Sequence, residues 1–149
     1  MPLKEYAKKR NLKKSGEPSA RVKSSGKKIF VIHEHHASHL HWDLRLEMNG
    51  VLKSWAVPKE PPRAKGIKRL AVHVEDHPLA YANFRGVIPE GNYGAGKVEI
   101  WDKGKYELKF MDSKKIEIIL HGKKLKGNYM LVKTHFGAKP GKSWLFFKI

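Results

Sequence analysis

Residues 40–57 read "LHWDLRLEMNGVLKSWAV", and the fold follows from how this stretch is read. Leu40, Trp42, Leu44 and Leu46 alternate with His41, Asp43, Arg45 and Glu47. That is the period-two pattern of a strand with one apolar and one polar face. Asn49-Gly50 follows, a pair that accepts positive φ at both central positions of a tight hairpin turn. "VLKSWAV" then returns as a second strand. An antiparallel hairpin is expected, with Leu40, Trp42, Leu44 and Leu46 turned to the core. His39, His41, Asp43 and Arg45 share the opposite face.

The same reading extends outward in both directions. "KIFVI" precedes the hairpin, and "LAVHVE", "KVEIW", "KYELKF", "KIEIIL", "GNYMLVKT" and "SWLFFKI" follow it. "PKEPPRAKG", with three prolines, is a loop. Short β-branched and aromatic runs at near-regular spacing predict a mainly β protein, a small antiparallel β-barrel with few helices. The barrel domain is expected over residues 27–149. Residues 1–26 form a basic arm, with a short helix from Pro2 to about Arg10 that places Leu3 and Tyr6 on one side. "GNYGAG", residues 91–96, superficially resembles a nucleotide-binding loop. A strand pattern rather than a helix follows it, so no helix N-terminus is available to receive a phosphate, and a β-turn is expected.

Composition narrows the partners. The 149 residues contain no cysteine, which excludes disulfides and thiolate-bound zinc and fits a reducing, cytoplasmic setting. No run approaches the ~20 apolar residues of a spanning helix. Thirty-one basic against fourteen acidic residues give a net charge of +17. So large an excess raises the energy of a compact chain unless a polyanion is near, and nucleic acid is the first candidate.

The polar face of the hairpin carries the chemistry. His41 and Asp43, at i and i+2, lie roughly 6–7 Å apart along the strand and can converge on one cation. His35, from the turn expected after "KIFVI", can supply a third ligand. Two neutral imidazoles and a carboxylate suit manganese, iron(II), zinc or cobalt and leave coordination positions open. Arg45, next in the row, offers a planar fork to a phosphate oxygen. A second cluster, "VHVEDHPLAYANF", holds His73, Glu75, His77 and Tyr81. His77 can bind phosphate or protonate a leaving oxygen, and Tyr81 can hydrogen-bond the phosphate. Two other classes fit parts of this pattern. A non-haem Fe(II) oxygenase shares the two-histidine, one-carboxylate set, and a non-catalytic nucleic-acid-binding module shares the charge.

Together, "FVIHEHHASHLHWDLRLEMNGVLKSWAVPKEPP", "VHVEDHPLAY", "GVIPEGNYGAGKVEIWDKG" and the closing "SWLFFKI" resemble the 3′-phosphoesterase domain of bacterial DNA ligase D and its stand-alone relatives. The resemblance runs from about Leu3 to the C-terminus. It implies a metal-dependent β-barrel enzyme, with Mn2+ first and Co2+ or Zn2+ as alternatives. Such an enzyme removes 3′-phosphates and 3′-terminal ribonucleosides in DNA repair by end joining. The implied metal ligands are His35, His41 and Asp43, and the implied catalytic residues are Arg45, His77, Tyr81 and Glu75. Arg10, Glu17, His33, Lys59 and Arg69 are assigned to substrate binding. The chain departs from the family pattern at Asn11, Leu12 and His33, the last replacing a glutamine. The implied setting is a monomer in the cytoplasm, nucleoid-associated when on DNA, with separate ligase and polymerase partners.

Overall fold

A computed structural model describes Leu3, Tyr6, residues 28–135 and residues 141–149. The basic arm and the helix expected from Pro2 to Arg10 lie outside these residues except for Leu3 and Tyr6, both of which are buried.

Nine strands follow one another: β1 (Ile29–His36), β2 (Leu40–Met48), β3 (Val51–Val57), β4 (Lys68–Pro78), β5 (Gly86–Ile88), β6 (Gly96–Met111), β7 (Lys115–His121), β8 (Lys126–Lys133) and β9 (Ser143–Lys148). Among the described residues one 3₁₀ turn, Leu79–Asn83, interrupts them, between β4 and β5. The sheet order is β1-β2-β3-β4-β9-β8-β7-β6-β5, and β1 also pairs with β6. That pairing closes an antiparallel barrel of eight strands, with β5 attached outside the ring. Closure satisfies the backbone groups that a free sheet edge would expose. Among the described residues no helix is long and apolar enough to cross a membrane.

The β2–β3 hairpin turns at Asn49 (φ 52°) and Gly50 (φ 81°), the positive pair that a two-residue connection of this hand requires. Alternation then splits every strand between two environments. Phe30, Ile32, Leu44, Leu46, Trp55, Val57, Ile118, Leu131 and Phe146 fill the barrel interior. A smaller second core forms on the outer wall, where Tyr6, Leu79, Tyr81 and Ala82 cover Val31 and Leu52.

Three expectations are corrected. Leu40 does not reach the core and is 44 % exposed, because β2 begins beyond the end of the filled interior. β1 runs through His36, so His35 sits on a strand and not in a turn. "KVEIW" and "KYELKF" are one strand of 16 residues, β6, which continues through the Asp102–Gly104 region beside a register shift in its pairing with β1. Gly104 is the reason that passage is possible, since a Cβ there would lie 2.2 Å from the carbonyl oxygen of His121.

Asp102 ties this long strand to the β7–β8 turn. Its buried carboxylate accepts backbone N–H groups of Lys103 (3.0 Å), Lys123 (2.8 Å), Lys124 (3.2 Å) and Leu125 (2.8 Å). Gly122 makes room, because a Cβ there would meet the Asp102 carboxylate at 2.3 Å. Replacing Asp102 with Ala orphans several donors at once and is expected to cost about 2–4 kcal/mol of folding stability. Asp102→Asn, which keeps an acceptor oxygen, should cost clearly less. Urea denaturation of the two variants checks both the size and the order.

Candidate active site

Strand alternation and register place the functional row on the outer wall of the barrel, not at its mouth. In β1 and β2 the odd-numbered residues face outward, and the register pairs His35 with His41 and His33 with Asp43. In β3 the even-numbered residues do so, with Ser54 opposite Arg45 and Ala56 opposite Asp43. Leu52 pairs with His77 across an irregularity in the β3–β4 ladder, which brings the end of β4 into the same area. A cavity of about 320 Å³ opens here, lined by His35, His41, Asp43, Arg45, His77 and Tyr81 among others. Glu75 also lines it, at 7 % exposure.

The three expected metal ligands come together. One ligand atom from each of His35, His41 and Asp43 lies within 4.8 Å of the others. His41 Nε2 stands 3.3 Å from one Asp43 oxygen, and His35 Nδ1 stands 3.8 Å from the other. The outer ring nitrogens are engaged with backbone. His35 Nε2 donates to the Gly94 carbonyl at 2.7 Å, and His41 Nδ1 donates to the His39 carbonyl at 3.2 Å. Each bond occupies the outer ring nitrogen and leaves the nitrogen near Asp43 as the ligand atom once its proton gives way to a metal, the arrangement that metal-binding histidines require. Two imidazole nitrogens and one carboxylate, oriented in this way, fit a divalent transition metal.

Electrostatics sharpen the group. Burial alone would raise the Asp43 pKa, but the Arg45 guanidinium and the two imidazoles hold it well below the usual carboxylate range. For His41, burial works against the proton, and the hydrogen bond and charge of Asp43 outweigh it, so its pKa is raised. Asp43 is therefore an anion ready to receive a cation.

Arg45 is 3 % exposed and hydrogen-bonded within the protein. Its Nε donates to His33 Nδ1 (3.1 Å) and Nη1 donates to Ser54 Oγ (2.9 Å), with His77 Nδ1 standing 3.2 Å from Nη1. Nη2 donates to Asp43 at 3.4 Å. Three of the five guanidinium N–H groups are thus committed, and a second Nη2 hydrogen remains for a ligand. The expected two-pronged fork toward phosphate is spent on positioning instead. The Tyr81 ring lies 4.8 Å from the guanidinium carbon, a cation–π contact.

His33 is fully buried and does not line the cavity. Its Nε2 donates to the Phe84 carbonyl at 2.9 Å while Nδ1 accepts from Arg45. Burial, with Arg45 adding to it, lowers its pKa to about 3, so the ring stays neutral and keeps its acceptor. His77 Nδ1 donates to the Glu75 carbonyl (3.0 Å), and its ring is packed between Tyr6 and Tyr81 at 5.0 and 4.7 Å. His73, by contrast, stacks on Trp55 at 5.2 Å, away from the cavity. Lys59 and Arg69 do not line the cavity, and Arg69 Nε donates to the Glu60 carbonyl at 2.9 Å. Arg10 and Glu17 lie outside the described residues.

Sequence reasoning overlooked Ser54, Tyr6 and the carbonyls of Gly94 and Phe84. Ser54 was legible, as the outward residue of "VLKSWAV" that faces Arg45 once the hairpin is closed. The carbonyls were not, because backbone acceptors leave no trace in residue type.

Comparison with known proteins adds an independent line. Residues 33–133 match the family described as the DNA ligase D 3′-phosphoesterase domain. The multifunctional non-homologous end joining protein LigD of Pseudomonas aeruginosa is 44 % identical over 155 residues, covering 99 % of this chain and 18 % of that protein. The corresponding DNA repair protein LigD of Mycobacterium tuberculosis is 44 % identical over 153 residues, covering 99 % and 20 %. That of Mycolicibacterium smegmatis is 44 % identical over 156 residues, covering 96 % and 20 %. The chain spans about a fifth of the length of these curated relatives.

The buried pair of Asp43 and Arg45 has a measurable consequence. Asp43→Ala leaves a buried guanidinium without its counter-charge and should cost about 3–5 kcal/mol. His41→Ala removes a partly exposed ring at the rim and should change stability by less than about 0.5 kcal/mol. Chemical denaturation of the metal-free variants reads the difference.

Proposed function

The chain belongs to the DNA ligase D 3′-phosphoesterase domain family and is a phosphoesterase, and we propose that it heals nucleic-acid 3′ ends for repair by end joining. The observation that carries this reading is the meeting, in one cavity, of the His35–His41–Asp43 donor set and the buried Arg45. Its substrates are strands ending in a 3′-phosphate or a 3′-terminal ribonucleoside, and the product is a 3′-hydroxyl. In phosphate removal, water adds to phosphorus, the P–O3′ bond breaks, and the departing oxygen takes up a proton. In ribonucleoside trimming, net addition of water to the bridging phosphorus breaks the P–O5′ bond, the proton passing to the departing nucleoside O5′, and leaves a 3′-phosphate for the second reaction.

His35, His41 and Asp43 would hold a divalent metal, manganese as the first choice and cobalt or zinc as alternatives. When bound it would supply Lewis acidity at a phosphoryl oxygen and a site for water. The remaining Nη2 hydrogen of Arg45 binds the oxygen on which negative charge accumulates. His77, which lines the cavity and donates Nδ1–H to the Glu75 carbonyl, would exchange a proton with the leaving oxygen through its other ring nitrogen. Tyr81 seals the floor beneath Arg45, and Glu75 supports the wall. We assign Arg10, Glu17, Lys59 and Arg69 to the path of the nucleic-acid backbone, and His33 to support of Arg45. The +17 charge favours a phosphate polymer over a small organic substrate, which argues against the oxygenase reading. A purely binding module would not need a buried arginine beside a metal-type donor set. The setting we propose is cytoplasmic, with ligase and polymerase activities supplied by separate partners.

End-labelled duplexes carrying a 3′-phosphate or a single 3′-ribonucleotide, incubated with Mn2+, should be converted to 3′-hydroxyl ends. Activity should vanish with chelator, and His41→Ala should lower it at least ~100-fold. Arg45→Lys, which cannot reproduce the fork, should lose a comparable amount. Wild-type conversion that is indifferent to chelator would remove the metal assignment.

A further inference from the structure

The turn between β5 and β6 performs two tasks at once. Gly91 (φ 88°), Gly94 (φ 74°) and Gly96 (φ 135°) give it a path that side-chain-bearing residues rarely follow. It is also braced internally. Asn92 N and Nδ2 both donate to the Pro89 carbonyl, at 3.3 and 3.1 Å, and Ala95 N donates to Asn92 O at 3.1 Å. Gly96 presses against β1 so closely that a Cβ would lie 2.2 Å from the His36 carbonyl oxygen. Two residues before Gly96, the Gly94 carbonyl accepts from His35 Nε2 at 2.7 Å and orients the ring. Tyr93, its immediate neighbour, lines the cavity and is 50 % exposed.

The polar floor of this cavity accounts for one phosphate group. A nucleotide also brings a flat apolar base, and the remaining walls, including Ala37, Ala56, Val74 and Ile88, are apolar. A half-exposed aromatic ring on a stiff turn loses little freedom when a base is laid against it, and such stacking tolerates any of the bases. We propose that Tyr93 is the stacking platform for the 3′-terminal nucleobase, and that it holds the attached phosphate over the metal-type donor set. This rests on the 3′-end reading above and specifies which part of the substrate that site grips. Because Gly94 links the same turn to His35, the base platform and the ligand set keep a fixed spacing.

The test uses the full chain as wild type, Tyr93→Ala and Tyr93→Phe, with Mn2+. Two 3′-phosphate oligonucleotides are compared, one ending in an ordinary nucleotide and one in an abasic residue. Tyr93→Ala should raise KM roughly 10-fold on the base-bearing end and leave KM on the abasic end unchanged. Tyr93→Phe, which keeps the ring, should match wild type on both. A second readout needs no turnover: 2-aminopurine placed at a 3′-hydroxyl terminus should be quenched by wild type and Tyr93→Phe, and not by Tyr93→Ala. Equal KM increases on both ends, no increase on either, or a Phe variant as impaired as Ala overturns the stacking role. Tyr93-dependent quenching without phosphate release would leave the stacking standing and sink the phosphoesterase reading. Phosphate release with no Tyr93 dependence does the reverse.

Discussion

A guanidinium buried to 3 % exposure sets the terms for the rest of the outer wall. Arg45 cannot lose its proton, so each N–H it buries must find an acceptor, and its charge must find an anion. Asp43 supplies the charge, and Ser54 and the neutral His33 supply acceptors. The neutrality of His33 is part of the same requirement. A second cation beside Arg45 would be repelled, and burial together with Arg45 brings the His33 pKa down to about 3. Arg45 in turn keeps Asp43 ionised, and an ionised Asp43 is what draws His35 and His41 into a metal-type cluster. One buried charge therefore specifies the protonation states of its neighbours.

Keeping such a group from water on the outside of a barrel needs a cover. The interior core does not provide it, because its side chains leave from the opposite face of the same strands. The cover is the second core, in which the 3₁₀ turn carries Tyr81 over Arg45 and the N-terminal segment carries Tyr6 against His77. Here the hydrophobic effect serves the site more than the fold. It lowers the local dielectric around Arg45 and Asp43 and so strengthens their attraction. Without that cover the row would be an ordinary exposed strand face, with its ion pair worth little.

Much of this was legible locally, and what was missed was missed for a physical reason. Alternation in residues 40–57 separates Leu44 and Leu46 from Asp43 and Arg45, and the Asn49-Gly50 turn fixes the register of the hairpin. Local pattern does not report which strand lies beside which. His35 was therefore expected from a turn, when it reaches His41 across the β1–β2 ladder. The "WDKG" segment looked like a break because Asp and Gly favour turns. There Gly104 serves close backbone approach and Asp102 caps a turn 21 to 23 residues away, neither of which leaves a local signature. Leu40 obeys the alternation and is still exposed, since period fixes the face of a strand but not where the core ends.

The imidazoles depend least on the strands that carry them. Each of three is aimed by a backbone carbonyl from elsewhere: Gly94 for His35, His39 for His41 and Phe84 for His33. Those carbonyls belong to the β5–β6 turn, the β1–β2 connection and the segment after the 3₁₀ turn. The barrel thus sets where the rings are, and three connections set which nitrogen each presents. Strand geometry tolerates exchange of one outward side chain for another, whereas a carbonyl moves only with its whole turn. Chemical identity at this site consequently rests on loop backbone as much as on the histidines themselves. That is why residue type suggested a metal site while only the folded chain fixes the tautomers that such a site demands.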